Sequence, residues 1–252
     1  MITFLKLLIL FMIGCFCGWI LEVFWRRFFS TPKVWKNPGF LNGPYLPLYG
    51  FGTMLLYLIS EIPIHFAIKV VLFCVVMTLI ELIAGVVFIQ GMKIKLWDYS
   101  KLWGNWKGII CPLYSFLWTV LGVAFYFLIY PHLTVIVEYT LQHYYTYLLI
   151  GFFYGVFAVD LAVSFNLSYK LKKLVDNSRV SLRYEEIKVA LRERVKSDGK
   201  HASFLFPFKG GEINLIETIK DELEKVKKLR IEDEEEKQRL RQLKKNAKNT
   251  MK

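Results

Sequence analysis

Long apolar runs separated by short polar links leave this chain few folds to choose from. Such runs cover Ile2 to Trp25, about Tyr45 to Ser60, about His65 to Gln90, about Ile109 to Tyr130 and about Tyr144 to Ser168. A helix of roughly 20 apolar residues matches a ~30 Å hydrocarbon core. In lipid the backbone must satisfy its own N–H and C=O groups, so each span is expected to be helical. The expected fold is therefore all-α: an integral membrane bundle of about five transmembrane helices over residues 1–168. Composition agrees, since 55% of residues are hydrophobic and 17% aromatic, too apolar for an ordinary soluble domain.

Charge supplies the topology. Arg26, Arg27, Lys33 and Lys36 follow the first run, and Lys93, Lys95, Lys101 and Lys107 follow the third. The second and fourth connections, Glu61 to Pro63 and Pro131 to His143, carry no Lys or Arg. Cationic connections stay on the cytoplasmic side. This places the N-terminus outside and the C-terminus inside a cell membrane, which the resemblance given below implies is bacterial. The first run lacks a small-residue cleavage site and reads as an uncleaved span. Beyond residue 168 the composition turns charged, with 23 Lys+Arg against 15 Asp+Glu. Residues 169–252 are expected to form a cytoplasmic helical tail. Within it, Val180 to Val195 reads as an amphipathic helix around Leu182, Ile187 and Leu191, and Ile213 to Lys245 as a charged helix with about two coiled-coil heptads.

Two stretches fit no plain helix. Asn37 to Gly52 reads NPGFLNGPYLPLYGFG, with three prolines and four glycines. Proline lacks a donor N–H and glycine permits unusual dihedrals, so this is loop chemistry lying between two apolar runs. It also recurs. Gly39, Gly43, Pro47, Leu48 and Tyr49 reappear 65 positions later as Gly104, Gly108, Pro112, Leu113 and Tyr114. The fifth run echoes the first, with Ile13, Gly14, Phe16 and Gly18 matching Ile150, Gly151, Phe153 and Gly155. The pattern is that of two hairpins in the same orientation plus a half copy, a parallel repeat. Irregular backbone at membrane depth must be buried in protein or line a watery cavity. The candidate residues of these kinked loops are Asn42, Gly43, Pro47, Tyr49, Asn105, Gly108, Pro112, Tyr114 and Ser115. The plainer reading is a pair of cytoplasmic turns, each with a kinked first helical turn.

Acids within the runs are the other candidates, because a charge at the bilayer centre costs about 2.5–3.5 kcal/mol on insertion scales. Glu22, Glu81 and Asp160 are expected to line an intramembrane polar pocket. Glu22 lies four residues before Arg26, a spacing that also permits a local ion pair. Gly14, Gly18 and Glu22 share one helix face, so the glycines are expected to admit a close neighbour. No phosphate-binding loop, zinc-protease helix or nucleophile elbow is present, and nothing points to a metal, a cofactor, nucleic acid or an enzyme.

The segments GCFCGWILEVFWRR and NPGFLNGPYLPLYGFG, with Glu81, LWDYS at Leu96 to Ser100 and GIICPLYS at Gly108 to Ser115, resemble the bacterial family of putative ABC-transporter permeases, type IV. The resemblance covers about Phe4 to Ser168. It implies a membrane permease subunit energised by a separate cytoplasmic ATPase, with substrate unspecified. The alternative is a membrane scaffold or regulatory protein whose tail binds a cytoplasmic partner. Expected partners are the lipid bilayer and either that ATPase subunit or another tail-binding protein, and a homo-oligomer is compatible with either reading.

Overall fold

The computed structural model describes residues 2–29, 35–92 and 94–175, with scattered positions beyond (182, 183, 187, 189, 190, 221, 224 and 228). In chain order the elements are α1 (Ile2–Phe28), α2 (Pro47–Glu61), α3 (Phe66–Val86), a π-helical turn (Val87–Gly91), β1 (Ile94–Lys95), α4 (Pro112–Ala124), a second π-helical turn (Phe125–Ile129), α5 (Tyr130–Gln142), α6 (Thr146–Val175) and β2 (Leu182–Arg183). Four stretches are long and apolar enough to cross a bilayer: Ile2–Phe28, Phe66–Gly91, Pro112–Gln142 and Thr146–Asn166. The all-α membrane bundle expected from the apolar runs is what the chain forms.

The expected second span is the exception in length. With 15 residues, α2 is about 22 Å long, short of the ~30 Å core. The non-helical segment 37–46 precedes it and lies along α1, not past its end. The Leu46 amide donates to the Cys15 carbonyl at 3.0 Å, and the Trp19 indole donates to Asn37 Oδ1 at 2.7 Å. Cys15 and Trp19 are about 20 Å and 14 Å from the Phe28 end of α1. Proline-rich, irregular chain is thus folded back to the depth of an apolar helix.

Small residues make that possible. A Cβ on Gly18 would overlap the Tyr49 side chain, one on Gly14 would meet Thr53, and one on Gly50 would meet Cys15 and Phe11. The second hairpin uses the same device, with Gly122 against Phe73 and Gly85 against Ile109. The repeat is visible in the backbone. Gly39 and Gly104, 65 residues apart, have φ of +79° and +67°, the left-handed region open to glycine. Pro47 and Pro112 each open a helix after an extended N-cap residue, where the missing proline N–H leaves no bond unmade. The half copy differs: Gly151 and Gly155 of α6 face open space.

Between the helices, Ile9, Leu10, Tyr57, Phe73, Met77, Trp118, Phe125 and Val137 form one core. Phe11, Cys15, Phe40, Tyr45, Ile94 and Phe153 form another on the α6 side. At the end of α2 farther from its proline, Lys6 pairs with Glu61. Buried Lys69 donates to the Ser60 carbonyl at 2.7 Å and lies 4.8 Å from the Tyr126 ring centroid. Ser60 belongs to the last turn of α2, where a cation complements the helix dipole.

Two expectations need correction. The segment Pro131 to His143 was expected to be a connection, but helix continues to Gln142. The π-helical turn just before Pro131 explains this, because its wider turn relieves the clash a proline ring makes with the preceding carbonyls. The amphipathic helix expected over Val180 to Val195 is not helical at Leu182 and Arg183, and most of that stretch lies outside the described residues. Leu182 and Arg183 pair in parallel with Ile94 and Lys95, while Ile187 is helical and buried against the α6-side core. Most of the expected charged helix from Ile213 to Lys245 lies outside the described residues.

If close approach at the glycines sets the α1–α2 distance, Gly18→Ala will destabilise the protein by about 1–3 kcal/mol, the cost of overpacking a filled contact. Gly155→Ala, with no atom nearby, will change stability by less than about 0.5 kcal/mol. Thermal unfolding in mild detergent measures both, and equal effects would refute the packing role.

Candidate functional site

The three intramembrane acids separate into two networks. Asp160 of α6 is 8% exposed and meets the first kinked loop, residues 37–46. Its Oδ2 accepts from the Asn42 amide at 3.0 Å, the Gly43 amide at 2.7 Å and the Tyr45 hydroxyl at 2.8 Å. Its Oδ1 accepts from Asn42 Nδ2 at 2.9 Å and from the Ser164 hydroxyl at 3.1 Å. Asn37 Nδ2 closes the loop from behind by donating to the Asn42 carbonyl at 2.7 Å. All these neighbours donate to Asp160. Two backbone N–H groups that no helix satisfies find their acceptor here.

Glu22 and Glu81 form the other network, beside the first turns of α2 and α4. Glu22 Oε1 accepts from Arg26 Nε at 2.7 Å, so the local pair expected from the i,i+4 spacing is present. Its Oε2 accepts from the Tyr49 hydroxyl at 2.8 Å. Tyr49 also packs on Trp118, with centroids 5.4 Å apart. Glu81 is 2% exposed, and its Oε1 accepts from the Tyr99 hydroxyl at 2.8 Å. The Tyr99 ring stacks on Tyr114 at 4.1 Å. Glu22 and Glu81 lie within electrostatic reach of one another and of Tyr99 and Tyr114. Two buried atoms here have no hydrogen-bond partner among the described residues: Glu81 Oε2 and Trp118 Nε1. The indole nevertheless faces the carboxyl closely enough to interact with it. One is an acceptor and the other a donor, so the two complement each other.

The second kinked loop, residues 92–111, is held from within. Asp98 Oδ1 accepts from the Ser100 amide at 3.0 Å, and Asp98 Oδ2 from Lys95 at 3.0 Å. Asn105 Nδ2 donates to the Leu102 carbonyl at 2.7 Å, while Asn105 Oδ1 accepts from the Gly108 amide at 3.0 Å. Gly108 itself has φ +71°. Burial alone would raise the Asp98 carboxyl, but Lys95 and Ser100 outweigh it and hold the group below the usual carboxylate range. Burial and the neighbouring Glu81 push the Tyr99 phenol far up, so Tyr99 remains a hydrogen-bond donor.

Each expected residue therefore has a place. Asn42 and Gly43 bind Asp160; Pro47 and Pro112 start helices; Tyr49 binds Glu22; Tyr114 supports Tyr99; Asn105 and Gly108 shape the second loop. Ser115 serves through its backbone, its amide reaching the Cys111 carbonyl and its carbonyl accepting from Thr119. Among the described residues, the hydrogen-bond partners given for Asp160 differ from those of Glu22 and Glu81. Sequence reasoning passed over Tyr99, Trp118, Tyr45 and Ser164. Spacing carried a signal for two of them: Trp118 is one helical turn after Tyr114, and Ser164 one turn after Asp160.

A family model described as putative ABC-transporter type IV matches residues 9–165, a stretch that contains both kinked loops and all three acids. No curated protein and no solved structure matches the chain.

Asp160→Ala will leave the Asn42 and Gly43 amides buried without an acceptor. At about 1–3 kcal/mol for each orphaned donor, it will lower thermal stability more than Ser164→Ala, which removes one hydroxyl donor. A shift no larger than that of Ser164→Ala would rule out the clamp. For Asp98 the sign follows from its lowered folded-state value. Its stabilisation is present above the unfolded-state carboxylate range and is lost as pH falls through the folded value. Proteolysis of the 92–111 loop should therefore be slow at neutral pH and quicken in acid, and Asp98→Asn should remove most of that pH dependence.

Proposed function

The chain belongs to the putative ABC-transporter type IV family, and from that premise we propose that it is the membrane-embedded permease subunit of a transport system whose ATPase is a separate chain. The observation that carries this reading is Glu81, a carboxyl buried at membrane depth whose ties, the Tyr99 hydroxyl and the facing Trp118 indole, come from the second kinked loop and the helix it opens. An ionisable group inside a span is costly to insert, and a movement of that loop would change its contacts.

In this reading the basic connections face the cytoplasm, and the 92–111 loop is the handle on the site. It carries Tyr99, which holds Glu81, and its β1 segment pairs with Leu182–Arg183 of the tail. An ATPase bound to the loop or tail would bear on Glu81 through one side chain. The same strand pairing supports the second reading, a scaffold or regulator acting through its tail.

The test starts from purification of the full chain in mild detergent from its native membrane. The permease reading expects an ATPase subunit to co-purify, with ATP turnover in liposomes coupled to this chain. Glu81→Gln should reduce the coupled turnover roughly tenfold, the equivalent of one charge-assisted hydrogen bond, while the subunits stay associated. Tyr99→Phe should give a partial loss. If no ATPase co-purifies, or Glu81→Gln matches the parent, the permease reading fails. Binding of a non-ATPase protein that is lost on removal of residues 176–252 would favour the scaffold.

A further inference from the structure

Two tryptophans stand out at the tip of the second kinked loop. Trp103 is 87% exposed and Trp106 46%, although rings of that size are largely covered in most folds. A braced backbone holds them there. Asn105 Nδ2 donates to the Ser100 carbonyl at 3.2 Å and the Leu102 carbonyl at 2.7 Å, and Asn105 Oδ1 accepts from the Gly108 amide at 3.0 Å. The Trp106 amide donates to the Ile110 carbonyl, and the Ile109 amide to the Trp106 carbonyl, each at 2.9 Å. Lys107 has φ +52°, in the left-handed region that lysine rarely enters. Its ammonium lies 4.7 Å from the Trp106 ring centroid.

The charge of the tip has one sign. From Tyr99 to Gly108 the chain carries Lys101 and Lys107 and no acid, and both lysines are exposed. The nearest acid in sequence, Asp98, is paired with Lys95. The surface offered is therefore aromatic and cationic, and it fits an anionic partner.

Position selects the kind of partner. A ~30 Å core counted along the helix from Phe66 takes about 20 residues and ends near Gly85. Gly85 packs against Ile109, two positions after Lys107. Gly104 lies against the ring of Pro112, the residue that opens the apolar stretch Pro112–Gln142. These contacts keep the tip level with the first turn of α4, at the edge of the hydrocarbon, so lipid headgroups meet it before a soluble protein does. Tryptophan favours that layer, with its ring on the apolar side and its N–H toward water. Lysine there is drawn to anionic lipid. The end of α1 carries a similar pair, with Arg27 5.7 Å from the Trp35 ring centroid.

We propose that the tip Lys101–Lys107 binds the headgroups of anionic phospholipids. Trp103 and Trp106 seat in the interface, and Lys101 and Lys107 meet the negative charge. This site is independent of the transport reading.

The experiment uses the full chain in phosphatidylcholine vesicles with a trace of phosphatidylglycerol or, in parallel, phosphatidylcholine that bears a diazirine high on its acyl chain. Crosslinks are mapped by mass spectrometry. The phosphatidylglycerol probe is expected to label residues 101–107 about fivefold more than the phosphatidylcholine probe. Excess unlabelled phosphatidylglycerol should compete, and inorganic phosphate should not. The double variant Lys101→Gln, Lys107→Gln should erase the preference while phosphatidylcholine still labels the tip, and Lys101→Arg with Lys107→Arg should keep it, both at an unchanged melting temperature. Equal labelling of the parent by the two lipids, or a preference that survives in the glutamine variant, would overturn the proposal. Competition by inorganic phosphate would overturn it too, by making the tip a site for a free anion. So would p-benzoylphenylalanine in place of Trp103 that, in native membranes, crosslinks to a protein instead of to lipid.

Discussion

Backbone inside a bilayer has no water to fall back on, and this structure is arranged around one stretch of backbone that no helix satisfies. The segment 37–46 brings proline, left-handed glycine and extended residues to the depth of Cys15 and Trp19 of α1. Such a segment is tolerable only if protein supplies the bonds. One side chain, Asp160, supplies a cluster of them, taking the Asn42 and Gly43 amides together with the Tyr45 hydroxyl. Because Asp160 lies on the last long helix, the first hairpin is not complete until α6 has packed. The clamp links chain positions more than a hundred residues apart and ties the half copy to the first repeat.

The two kinked loops solve the same problem differently. They share the left-handed glycine, the extended cap and the helix-opening proline, so their backbones start alike. At the first, the acceptor is borrowed from α6. At the second, Asp98 and Asn105 provide it locally, and the loop can hold its own shape. That difference has a mechanical consequence. A loop clamped to another helix moves only with that helix, whereas a self-supported loop can shift as a unit. The second loop is also the one that carries Tyr99 to Glu81 and accepts the β2 pairing.

Much of this was legible in the sequence because membrane folding penalises certain residues so heavily. Glu22, Glu81 and Asp160 stood out because charge in lipid is expensive, and all three prove to be engaged by protein. Gly14 and Gly18 stood out by spacing, and they admit Thr53 and Tyr49. What stayed hidden were partnerships between ordinary residues. Tyr99 and Trp118 are aromatics in an aromatic-rich chain, and nothing local tells which of them faces a carboxylate. Lys69 lies in the first turn of α3, yet it caps the end of α2. The helix through Pro131 was missed because its cause, a π-helical turn, has no simple residue signature. Which donors each acid meets was not legible, because depth along a helix is readable from sequence, but rotation about the bundle is not.

Satisfaction of lone pairs then separates the acids by role more sharply than depth does. Asp160 uses both oxygens on donors that belong to the fold, and exchanging any of them for a solute would release the first loop. Glu22 is likewise occupied, by Arg26 and Tyr49, and it contributes negative charge next to Glu81. Glu81 is held differently, by the Tyr99 hydroxyl from the second kinked loop and by the facing Trp118 indole of α4. Asp160 is bound by the loop that leans on another helix, Glu81 by the loop that supports itself, so a shift of the second loop as a unit would change the surroundings of Glu81 and leave those of Asp160 in place.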